Sequence, residues 1–292
     1  MRIGVDFGGT KIEAAALYAD GSLGVRVRVP TPAAYDLALA AVREVVARVE
    51  AASGPVAQIG VAMPGTVSPR TGTVRNSNAL CLNGRHLEAD LAAVLHKPVR
   101  IANDANCFAI SEAQDGAGEG ARVVFGAILG TGCGGGVVVD GRLLGGANGV
   151  AGEWGHNPLP ATSAAPVRCW CGADDCLETW ISGSGLSRDF RERSSREASG
   201  QEIVSAAAAG DQEAGAALDA YVDRLGRALA GVVNLIDPDA IILGGGMSNV
   251  GQLYERLPDA VRRHVFGGEW EAPIRPARWG DSSGVRGAAR LW

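Results

Sequence analysis

The sequence has no apolar run of the roughly 18 to 20 residues that a membrane-spanning helix needs, and no leader-like segment precedes its first apolar strand. It also lacks an excess of positive charge, since 27 Lys and Arg stand against 32 Asp and Glu, a net charge of −5. These absences argue against a membrane protein and against nucleic acid as a partner. With 292 residues, 47% of them hydrophobic, we expect a cytoplasmic globular enzyme of one large or two modest domains.

Histidine and cysteine are also scarce, at four and six residues, yet one histidine and three cysteines fall between residues 152 and 185. His156, Cys169, Cys171 and Cys176 supply one imidazole and three thiolates, the ligand set of a closed tetrahedral Zn²⁺ site. A disulfide-linked surface loop is the alternative, but clustered cysteines in a cytosolic chain favour a metal. Four protein ligands leave no position for water, so the sequence predicts a structural zinc.

Two acidic residues accompany these ligands. Glu153 lies three residues before the histidine, and Glu178 lies two residues after the last cysteine. A zinc ion would hold the two carboxylates in a fixed relation, which suits a polyhydroxylated substrate. The Pro- and Ala-rich stretch at residues 158–166, between the ligands, is predicted to be a loop.

Glycine is abundant, at 42 residues, and its clusters follow apolar runs. A strand ending near Asp6 leads into Gly8, Gly9 and Thr10, and a second strand is predicted at residues 12–17. A P-loop would instead pass into a helix and carry Gly-Lys-Ser or Gly-Lys-Thr. The N–H groups of such a turn can cradle phosphate, and Asp6 could hold Mg²⁺ directly or through water. An ordinary tight hairpin explains this segment equally well.

The same order of strand, glycine turn and strand recurs around residues 130–132. A third glycine cluster, at residues 244–246, follows the apolar run 241–243. Glycines at such positions let a ligand approach the backbone closely. The recurrence predicts a duplicated architecture in which each half carries one phosphate-binding hairpin.

Helical periodicity appears at residues 36–52, 201–209 and 213–236, and strands are predicted at 56–63 and 99–102. This alternation of strands and helices predicts a mixed α/β protein.

Asn103 and Asp104 follow the strand at 99–102, at the point where the next helix begins. A carboxylate at the carboxyl end of a strand faces the region where open α/β sheets bind ligands. Asp104 could accept a hydroxyl proton while Asn103 hydrogen-bonds a neighbouring hydroxyl. Capping of the helix by either residue is the competing explanation.

Together these motifs resemble the ROK family of bacterial sugar kinases and sugar-responsive repressors. The matching segments, in family order, are Asp6-Phe7-Gly8-Gly9-Thr10-Lys11, Pro64-Gly65, Asn103-Asp104-Ala105-Asn106, Leu129-Gly130-Thr131-Gly132, Glu153-Trp154-Gly155-His156, the cysteine segment 169–178 and Gly244-Gly245-Gly246. The resemblance implies a duplicated actin-like, ribonuclease-H-like α/β fold of two lobes with a small zinc loop. It also implies an ATP:hexose 6-phosphotransferase that uses Mg²⁺ and forms a homodimer.

The resemblance also implies a role for each matching residue, with Asp104 as the general base on the attacking hydroxyl. The implied sugar-binding residues are Gly65, Asn103, Asp104, Glu153, His156 and Glu178, and His156 is also a zinc ligand. The implied nucleotide-binding residues are Asp6, Gly8, Gly9, Thr10, Lys11, Gly130, Thr131, Gly132, Gly134, Gly135, Gly244, Gly245 and Gly246.

The expected lobes are residues 1–118, to which 283–292 would return, and residues 119–282, which would contain the zinc loop 153–178. The linker-like stretch 114–120 is the expected hinge. One departure from the family pattern is visible, because Asp175 stands where the family usually has glycine before the third cysteine. Asp tolerates positive φ better than most residues, so we expect zinc binding to survive.

Within the family, the closest resemblance is to bacterial fructokinases of the manno(fructo)kinase type. The supporting segments are Leu82-Asn83-Gly84, Gly132-Cys133-Gly134, Phe266-Gly267-Gly268-Glu269 and residues 280–289. Fructose, with mannose as a second acceptor, is therefore the predicted substrate. N-acetylglucosamine kinases and glucokinases share the catalytic motifs and form the alternative.

Proteins of two other classes are alternatives to a kinase. A sugar-sensing ROK repressor would carry a helix-turn-helix domain before the first hairpin, and here five residues precede Asp6. An actin-type structural protein would not need Glu153, His156 and Glu178 around a zinc loop. Both are disfavoured.

Overall fold

The computed structural model describes residues 1–159 and 166–292. The predicted loop 158–166 and the predicted zinc loop 153–178 both include residues 160–165, which lie outside the described residues. The chain divides into two units. The first comprises Met1–Gly116, Arg142–Ala151 and Trp279–Trp292, and the second comprises Ala117–Gly141 and Gly152–Arg278.

Strands and helices alternate along the chain as the sequence predicts. The strands are β1 (Arg2–Phe7), β2 (Lys11–Leu17), β3 (Leu23–Pro30), β4 (Ile59–Met63), β5 (Thr66–Val67), β6 (Val74–Arg75), β7 (Val99–Asn103), β8 (Val123–Leu129), β9 (Cys133–Val139), β10 (Arg142–Leu143), β11 (Ala240–Gly244) and β12 (Ile274–Pro276). The α-helices are α1 (Tyr35–Ser53), α2 (Leu87–Leu95), α3 (Asp104–Asp115), α4 (Glu178–Ile181), α5 (Gly183–Ser194), α6 (Gly200–Ala208), α7 (Gln212–Ile236), α8 (Gly251–Arg262) and α9 (Ser283–Ala289). Among the described residues, none of these helices combines the length and the apolar character needed to cross a bilayer.

The sheet of the first unit has the order β3-β2-β1-β4-β7. Strand β1 forms an antiparallel hairpin with β2 and runs parallel to β4, which in turn runs parallel to β7. Asp6 pairs with Ala62, and Met63 pairs with Asn103, so both polar residues lie near the carboxyl ends of parallel strands. These ends meet at one edge of the sheet, which brings Asp6 and the start of α3 to the same edge.

The second unit repeats this arrangement in the order β9-β8-β11-β12. Strand β8 forms an antiparallel hairpin with β9 and runs parallel to β11, which runs parallel to β12. A hairpin followed by parallel strands therefore occurs in both units. This confirms the predicted duplicated α/β fold.

Each unit has its own hydrophobic core. In the first, α1 buries Ala38, Val42, Val45 and Val49, a spacing of three to four residues that forms one apolar face. In the second, the longest helix, α7, packs against α5, α6 and α8. Its Tyr221 is fully buried, and the hydroxyl donates to the carbonyl of Ile181 at 2.8 Å, so the buried oxygen is satisfied.

Helix α9 lies against β1 and β4 with its backbone almost in contact with theirs. A Cβ atom on Gly4 would lie 1.9 Å from the carbonyl oxygen of Val285, and one on Gly60 would lie 1.7 Å from that of Ala288. A Cβ atom on Gly287, within the helix, would lie 1.7 Å from the carbonyl oxygen of Cys107 in α3. Only glycine allows this separation, so these three positions fix how closely the last helix packs.

We expect Gly60→Ala to destabilise the protein by about 1–3 kcal/mol or more, because the added methyl group forces α9 away from β4. Gly231→Ala is the matched control, since a Cβ at this position in α7 meets no atom within 4 Å. The control should stabilise α7 by about 0.5–1 kcal/mol. Thermal unfolding midpoints of the two variants and the wild type measure the difference. Equal midpoints for Gly60→Ala and the wild type would contradict this account of the packing.

Candidate active site

The corner between β7 and α3 carries Asn103 and Asp104. The Asn103 side chain caps the helix by accepting from the backbone N–H of Ala105 at 2.8 Å, and its amide donates to the carbonyl of Gly65 at 3.0 Å. Gly65 has φ 86°, and a Cβ there would lie 2.6 Å from the carbonyl oxygen of Arg75. The capping explanation therefore holds for Asn103, and the cap itself sets the orientation of the amide.

Asp104 is the first residue of α3, and its carboxylate is exposed. Oδ1 of Asp104 accepts from the N–H of Ala105 at 2.8 Å, the same N–H that the Asn103 side chain caps. This amide lies in the first turn of α3, where the N–H groups have no acceptor within the helix. The positive end of the helix dipole stabilises negative charge there. An exposed carboxylate at this edge of the sheet has the chemistry of a proton acceptor.

Asp6, near the end of β1, is the second acidic group at this edge and is largely buried. The pKa of Asp6 is raised from 3.8 to about 6, mainly by burial, and the carboxylates of Asp104 and Glu13 contribute in the same direction. Lys11 and Arg28 act in the opposite direction and are outweighed. A carboxylate that holds its proton this tightly gains from a nearby cation, and its oxygen ligands suit Mg²⁺.

The turn between β1 and β2 presents exposed backbone. The N–H of Gly8 donates to the carbonyl of Lys11 at 2.9 Å, and the turn is braced by Thr31, whose hydroxyl donates to Gly8 at 2.7 Å. The backbone N–H of Thr31 also donates to the carbonyl of Thr10 at 3.0 Å. Gly9, Thr10 and Lys11 are exposed at the tip. The turn is thus held in shape by its carbonyl groups.

The turn between β8 and β9 is built in a related way. The N–H of Gly130 donates to the carbonyl of Gly132 at 3.0 Å, and the carbonyl of Gly130 accepts from the N–H of Gly183 at 2.8 Å, at the start of α5. Thr131 is exposed at the tip. This turn is therefore tied to the helix that follows Glu178.

The third glycine cluster follows β11. Gly244 is buried in the strand, whereas Gly245 and Gly246 are exposed. Gly245 has φ 78°, and a Cβ there would lie 2.6 Å from the carbonyl oxygen of Leu129, at the end of β8. Within the second unit, this cluster and the β8–β9 turn are thus neighbours.

Trp154 anchors the segment that contains Glu153 and His156. Its indole N–H donates to the carbonyl of Gly134 at 2.9 Å, and its ring packs edge-to-face on Phe125 with centroids 5.2 Å apart. A Cβ on Gly135 would lie 2.6 Å from the ring. Gly135 makes room for the Trp154 ring and the Gly134 carbonyl accepts from its N–H, and the predicted role of both glycines in nucleotide binding stays a prediction.

Two further glycines bring this segment onto β9. A Cβ on Gly152 would lie 2.4 Å from a β9 carbonyl oxygen, and one on Gly155 would lie 2.0 Å from another. Gly152 also has φ 90°. The backbone on both sides of Trp154 is therefore held against the strand, and this positions the half-buried Glu153 and His156.

The four predicted metal ligands lie together, with their ligand atoms within 4.8 Å of one another. Nδ1 of His156 is 3.7 Å from Sγ of Cys169, and the Sγ atoms of Cys171 and Cys176 are 3.5 Å apart. Two ligands bound at about 2.3 Å in a tetrahedral site are about 3.8 Å apart, so these separations fit Zn²⁺. All six cysteines are free, which excludes the disulfide alternative in this structure. With Nδ1 facing the cluster, Nε2 of His156 is left for another partner.

Asp175 occupies the position where the family usually has glycine, and it lies in the left-handed region with φ 55°. Its carboxylate accepts from the N–H of Val167 at 2.9 Å, and its backbone N–H donates to the Val167 carbonyl at 2.8 Å. The side chain thus adds a hydrogen bond that glycine could not make. This explains physically why Asp is accommodated beside the third cysteine.

Glu178 begins α4, and both of its carboxylate oxygens have donors. Oε2 accepts from the backbone N–H of Cys133 at 2.8 Å, and Oε1 accepts from the indole N–H of Trp170 at 2.6 Å. A Cβ on Gly132 would lie 2.5 Å from Oε2, so a larger residue at this position would displace the carboxylate from its present place. Sequence reasoning missed both donors. For Trp170, the available signal was an aromatic residue between two ligand cysteines. For the backbone N–H of Cys133 the sequence offers no signal, because every residue except proline has such a group.

The structure therefore brings the predicted residues together in two groups, one in each unit. In the first unit, Asp6, Gly65, Asn103 and Asp104 lie around the carboxyl ends of β1, β4 and β7. In the second unit, Glu178 and the four zinc ligands lie close to the β8–β9 turn.

A model of the ROK family matches residues 2–292. The chain belongs to the ROK family. It is 40% identical to the N-acetylgalactosamine kinase AgaK of Shewanella sp. (strain ANA-3), over all of this chain and 96% of the relative. It is 36% identical to the N-acetyl-D-glucosamine kinase of Escherichia coli (strain K12), over all of this chain and 99% of the relative. Among solved structures, the ROK hexokinase from Thermus thermophilus superposes with a TM-score of 0.89 at 34% identity, covering 99% of this chain and 97% of that one.

Membership in the family and the geometry of the cluster predict a metal content that can be measured. We expect protein purified without chelator to contain about one Zn²⁺ per chain. Cys171→Ser should lower this content, because it removes one thiolate from an exposed position without opening the core. Cys81→Ser, which changes a cysteine remote from the cluster in sequence, should retain the metal. Elemental analysis of the three proteins is the measurement, and a metal-free wild type would contradict the assignment.

The raised pKa of Asp6 predicts a pH-dependent stability. The folded state holds the Asp6 proton up to about pH 6, whereas the ordinary pKa of an aspartate is 3.8. The stabilisation from this group is therefore fully present below about pH 4 and is lost as the pH rises through 6. Relative to Asp6→Asn, the wild type should lose up to about 3 kcal/mol between these limits.

Urea unfolding of both proteins from pH 4 to 8, without divalent ions, measures this difference. Added Mg²⁺ should restore part of the wild-type stability near pH 7, since a bound cation favours the ionised carboxylate. If the difference in unfolding free energy between the two proteins did not change with pH, the pKa of Asp6 would not be raised in the folded state.

Proposed function

We propose that this ROK-family protein transfers a phosphoryl group from ATP to the 6-hydroxyl of an N-acetylhexosamine. The observation that carries the proposal is the β7–α3 corner, where an exposed carboxylate follows an amide whose orientation is set by two hydrogen bonds. The full-length similarity to an N-acetylgalactosamine kinase and an N-acetyl-D-glucosamine kinase supports the choice of sugar.

The sugar in this proposal differs from the fructose that the sequence motifs favoured. Three of the four fructokinase-type segments lie outside the motifs shared with the family, and the fourth overlaps a predicted nucleotide-binding turn. None of them reports the shape of the sugar pocket, on which substrate identity depends. The two relatives named above are an N-acetylgalactosamine kinase and an N-acetyl-D-glucosamine kinase, so they favour the alternative that the sequence left open.

Asp104 is the general base in this proposal. Phosphoryl transfer has a loose transition state, so the protein mainly positions the reactants and stabilises charge. The 6-hydroxyl becomes a better nucleophile as its proton moves to Asp104, late in the transfer. Asn103 donates or accepts a hydrogen bond at an adjacent hydroxyl, which aligns the acceptor oxygen with the phosphoryl group.

The remaining assignments also form part of the proposal. Glu153, His156 and Glu178 bind sugar hydroxyls, and Gly65 lies at the sugar through its backbone. The two hairpin turns and the third glycine cluster bind the nucleotide, and Asp6 would hold Mg²⁺, which neutralises charge on the phosphates. The zinc ligands would hold a structural ion that keeps the loop in shape.

The organisation of the protein is proposed on the family pattern. The functional lobes are residues 1–118 with 283–292, and residues 119–282. The protein acts as a cytoplasmic homodimer.

Purified protein should release ADP when it is mixed with ATP, Mg²⁺ and a hexose. We expect the highest kcat/KM with N-acetylgalactosamine or N-acetylglucosamine, and lower values with fructose, mannose and glucose. The 6-deoxy analogue of the best sugar lacks the acceptor oxygen and should give no release above the background hydrolysis. Higher kcat/KM with fructose would return the assignment to the fructokinase type, and no turnover with any hexose would overturn the kinase.

Asp104→Asn keeps the shape of the side chain and removes the proton acceptor. In the same assay we expect kcat to fall by roughly 10²–10⁴-fold, while the KM values change little. Asp36→Asn is the matched control, because Asp36 is also an exposed carboxylate in the first turn of a first-unit helix. The control should keep wild-type kcat. If Asp104→Asn kept more than about a tenth of it, Asp104 would not be the base.

A further inference from the structure

The side chain of Trp170 lies between the metal cluster and the carboxylate of Glu178. Trp170 separates two of the ligand cysteines in sequence and is 65% exposed, so burial in the core does not explain its presence. Its one polar atom nevertheless has a partner, since the indole N–H donates to Oε1 of Glu178 at 2.6 Å. A hydrogen bond to an ionised acceptor is among the stronger ones in proteins.

We propose that Trp170 is a positioning residue that orients the Glu178 carboxylate for sugar binding. This inference rests on the proposed function, in which Glu178 binds a sugar hydroxyl. It assigns to Trp170 a role that no motif of the sequence indicated.

The carboxylate is held at two points, which determines its rotation. Trp170 binds Oε1, and the backbone N–H of Cys133, at the start of β9, binds Oε2 at 2.8 Å. The Cys133 donor is part of the sheet, and Gly132 leaves the room for the carboxylate to reach it. A single donor would let the carboxylate swing about that oxygen, whereas two donors fix its plane. Each oxygen keeps acceptor capacity for a ligand hydroxyl.

The second donor is placed by the metal-binding loop. Trp170 lies between Cys169 and Cys171 in the chain, so the positions of these two ligands set the position of the indole. The ring also meets the ring of His156 edge-on, with centroids 5.1 Å apart at 83°. Trp170 thus connects the order of the loop to the orientation of Glu178.

The test replaces the indole and keeps the aromatic ring. Trp170→Phe loses the N–H donor and retains a ring that can face His156. We expect this variant to raise both the Kd of the sugar, measured by calorimetry without ATP, and its KM by about tenfold, the lower range for losing a hydrogen bond to a charged group. The kcat should stay within about threefold of wild type, and the zinc content should be unchanged, because Trp170 neither binds the metal nor contacts the proton acceptor.

Trp292→Phe is the matched control, because the same change removes an indole N–H that donates to the carbonyl of Ile59 at 3.1 Å, in the first unit. Its sugar Kd should equal that of the wild type. Trp170→Ala distinguishes the hydrogen-bond donor from the aromatic ring, because it removes both. If Trp170 acts through its hydrogen bond, Trp170→Phe and Trp170→Ala should weaken sugar binding equally. A role in packing on His156 predicts that Phe behaves as wild type while Ala does not, and this result would overturn the inference.

The measurements use whichever hexose the wild type phosphorylates best, so a different preferred sugar leaves the test intact. Wild-type turnover together with an unchanged sugar Kd in Trp170→Phe would overturn the role of Trp170 and leave the kinase standing. A loss of zinc from Trp170→Phe would also overturn it, since the residue would then act on the metal site. A wild type that phosphorylates no hexose would overturn the proposed function and this inference together.

Discussion

The ligand cluster of His156 and three cysteines is the constraint on which the candidate sugar site of the second unit depends. In the described residues 153–159 and 166–178, regular structure is limited to one short 3₁₀ turn, two isolated β-bridges and the first residue of α4. The segment is therefore held by buried side chains such as Trp154 and Leu177 and by the ligand cluster, rather than by continuous strand or helix hydrogen bonding. The cluster joins both ends of the segment, so a single ion would hold Glu153 and Glu178 in register with each other.

Glycine supplies a second constraint, because it lets backbone approach backbone or a charged side chain at distances that a Cβ would prevent. Gly132 admits the Glu178 carboxylate, and Gly155 lets the 3₁₀ turn lie on β9. Gly4 and Gly60 do the same for α9 on the first sheet. The glycine clusters therefore have structural roles in addition to any contact with phosphate. Gly135, which packs against the Trp154 ring, is the clearest example.

In the first unit, the candidate chemistry depends on how two carboxylates differ in environment. Asp6 and Asp104 share one edge of the sheet, but burial raises the pKa of Asp6 whereas Asp104 is exposed at a helix N-terminus. Burial makes the Asp6 carboxylate favour a proton or a cation, whereas the Asp104 carboxylate lies at the positive end of a helix dipole, which stabilises negative charge. The same residue type can thus serve two functions at neighbouring positions.

The sequence by itself determined the family and the fold class, and it identified the cluster of His156 and three cysteines. Apolar periodicity located α1, α6 and α7 within one or two residues, and the recurring glycine turns indicated the duplicated sheets. These features are local or repeat along the chain, so pattern and spacing are sufficient to detect them. The set of His156 and three cysteines could be recognised because few residue types bind Zn²⁺, and these four lie close together in the sequence. Matching motifs did not determine the hexose, because specificity depends on pocket shape rather than on catalytic residues.

The tertiary structure alone decided which partners orient the functional side chains. Glu178 accepts from the N–H of Cys133, 45 residues earlier, because the start of α4 packs against the start of β9. Asn103 donates to the carbonyl of Gly65, 38 residues earlier, because two parallel strands end side by side. Backbone donors and acceptors are the same in every residue type, so no side-chain pattern marks which of them will be used. Only packing brings them within hydrogen-bond distance, and that is why the sequence named the candidate residues and the fold supplied their orientation.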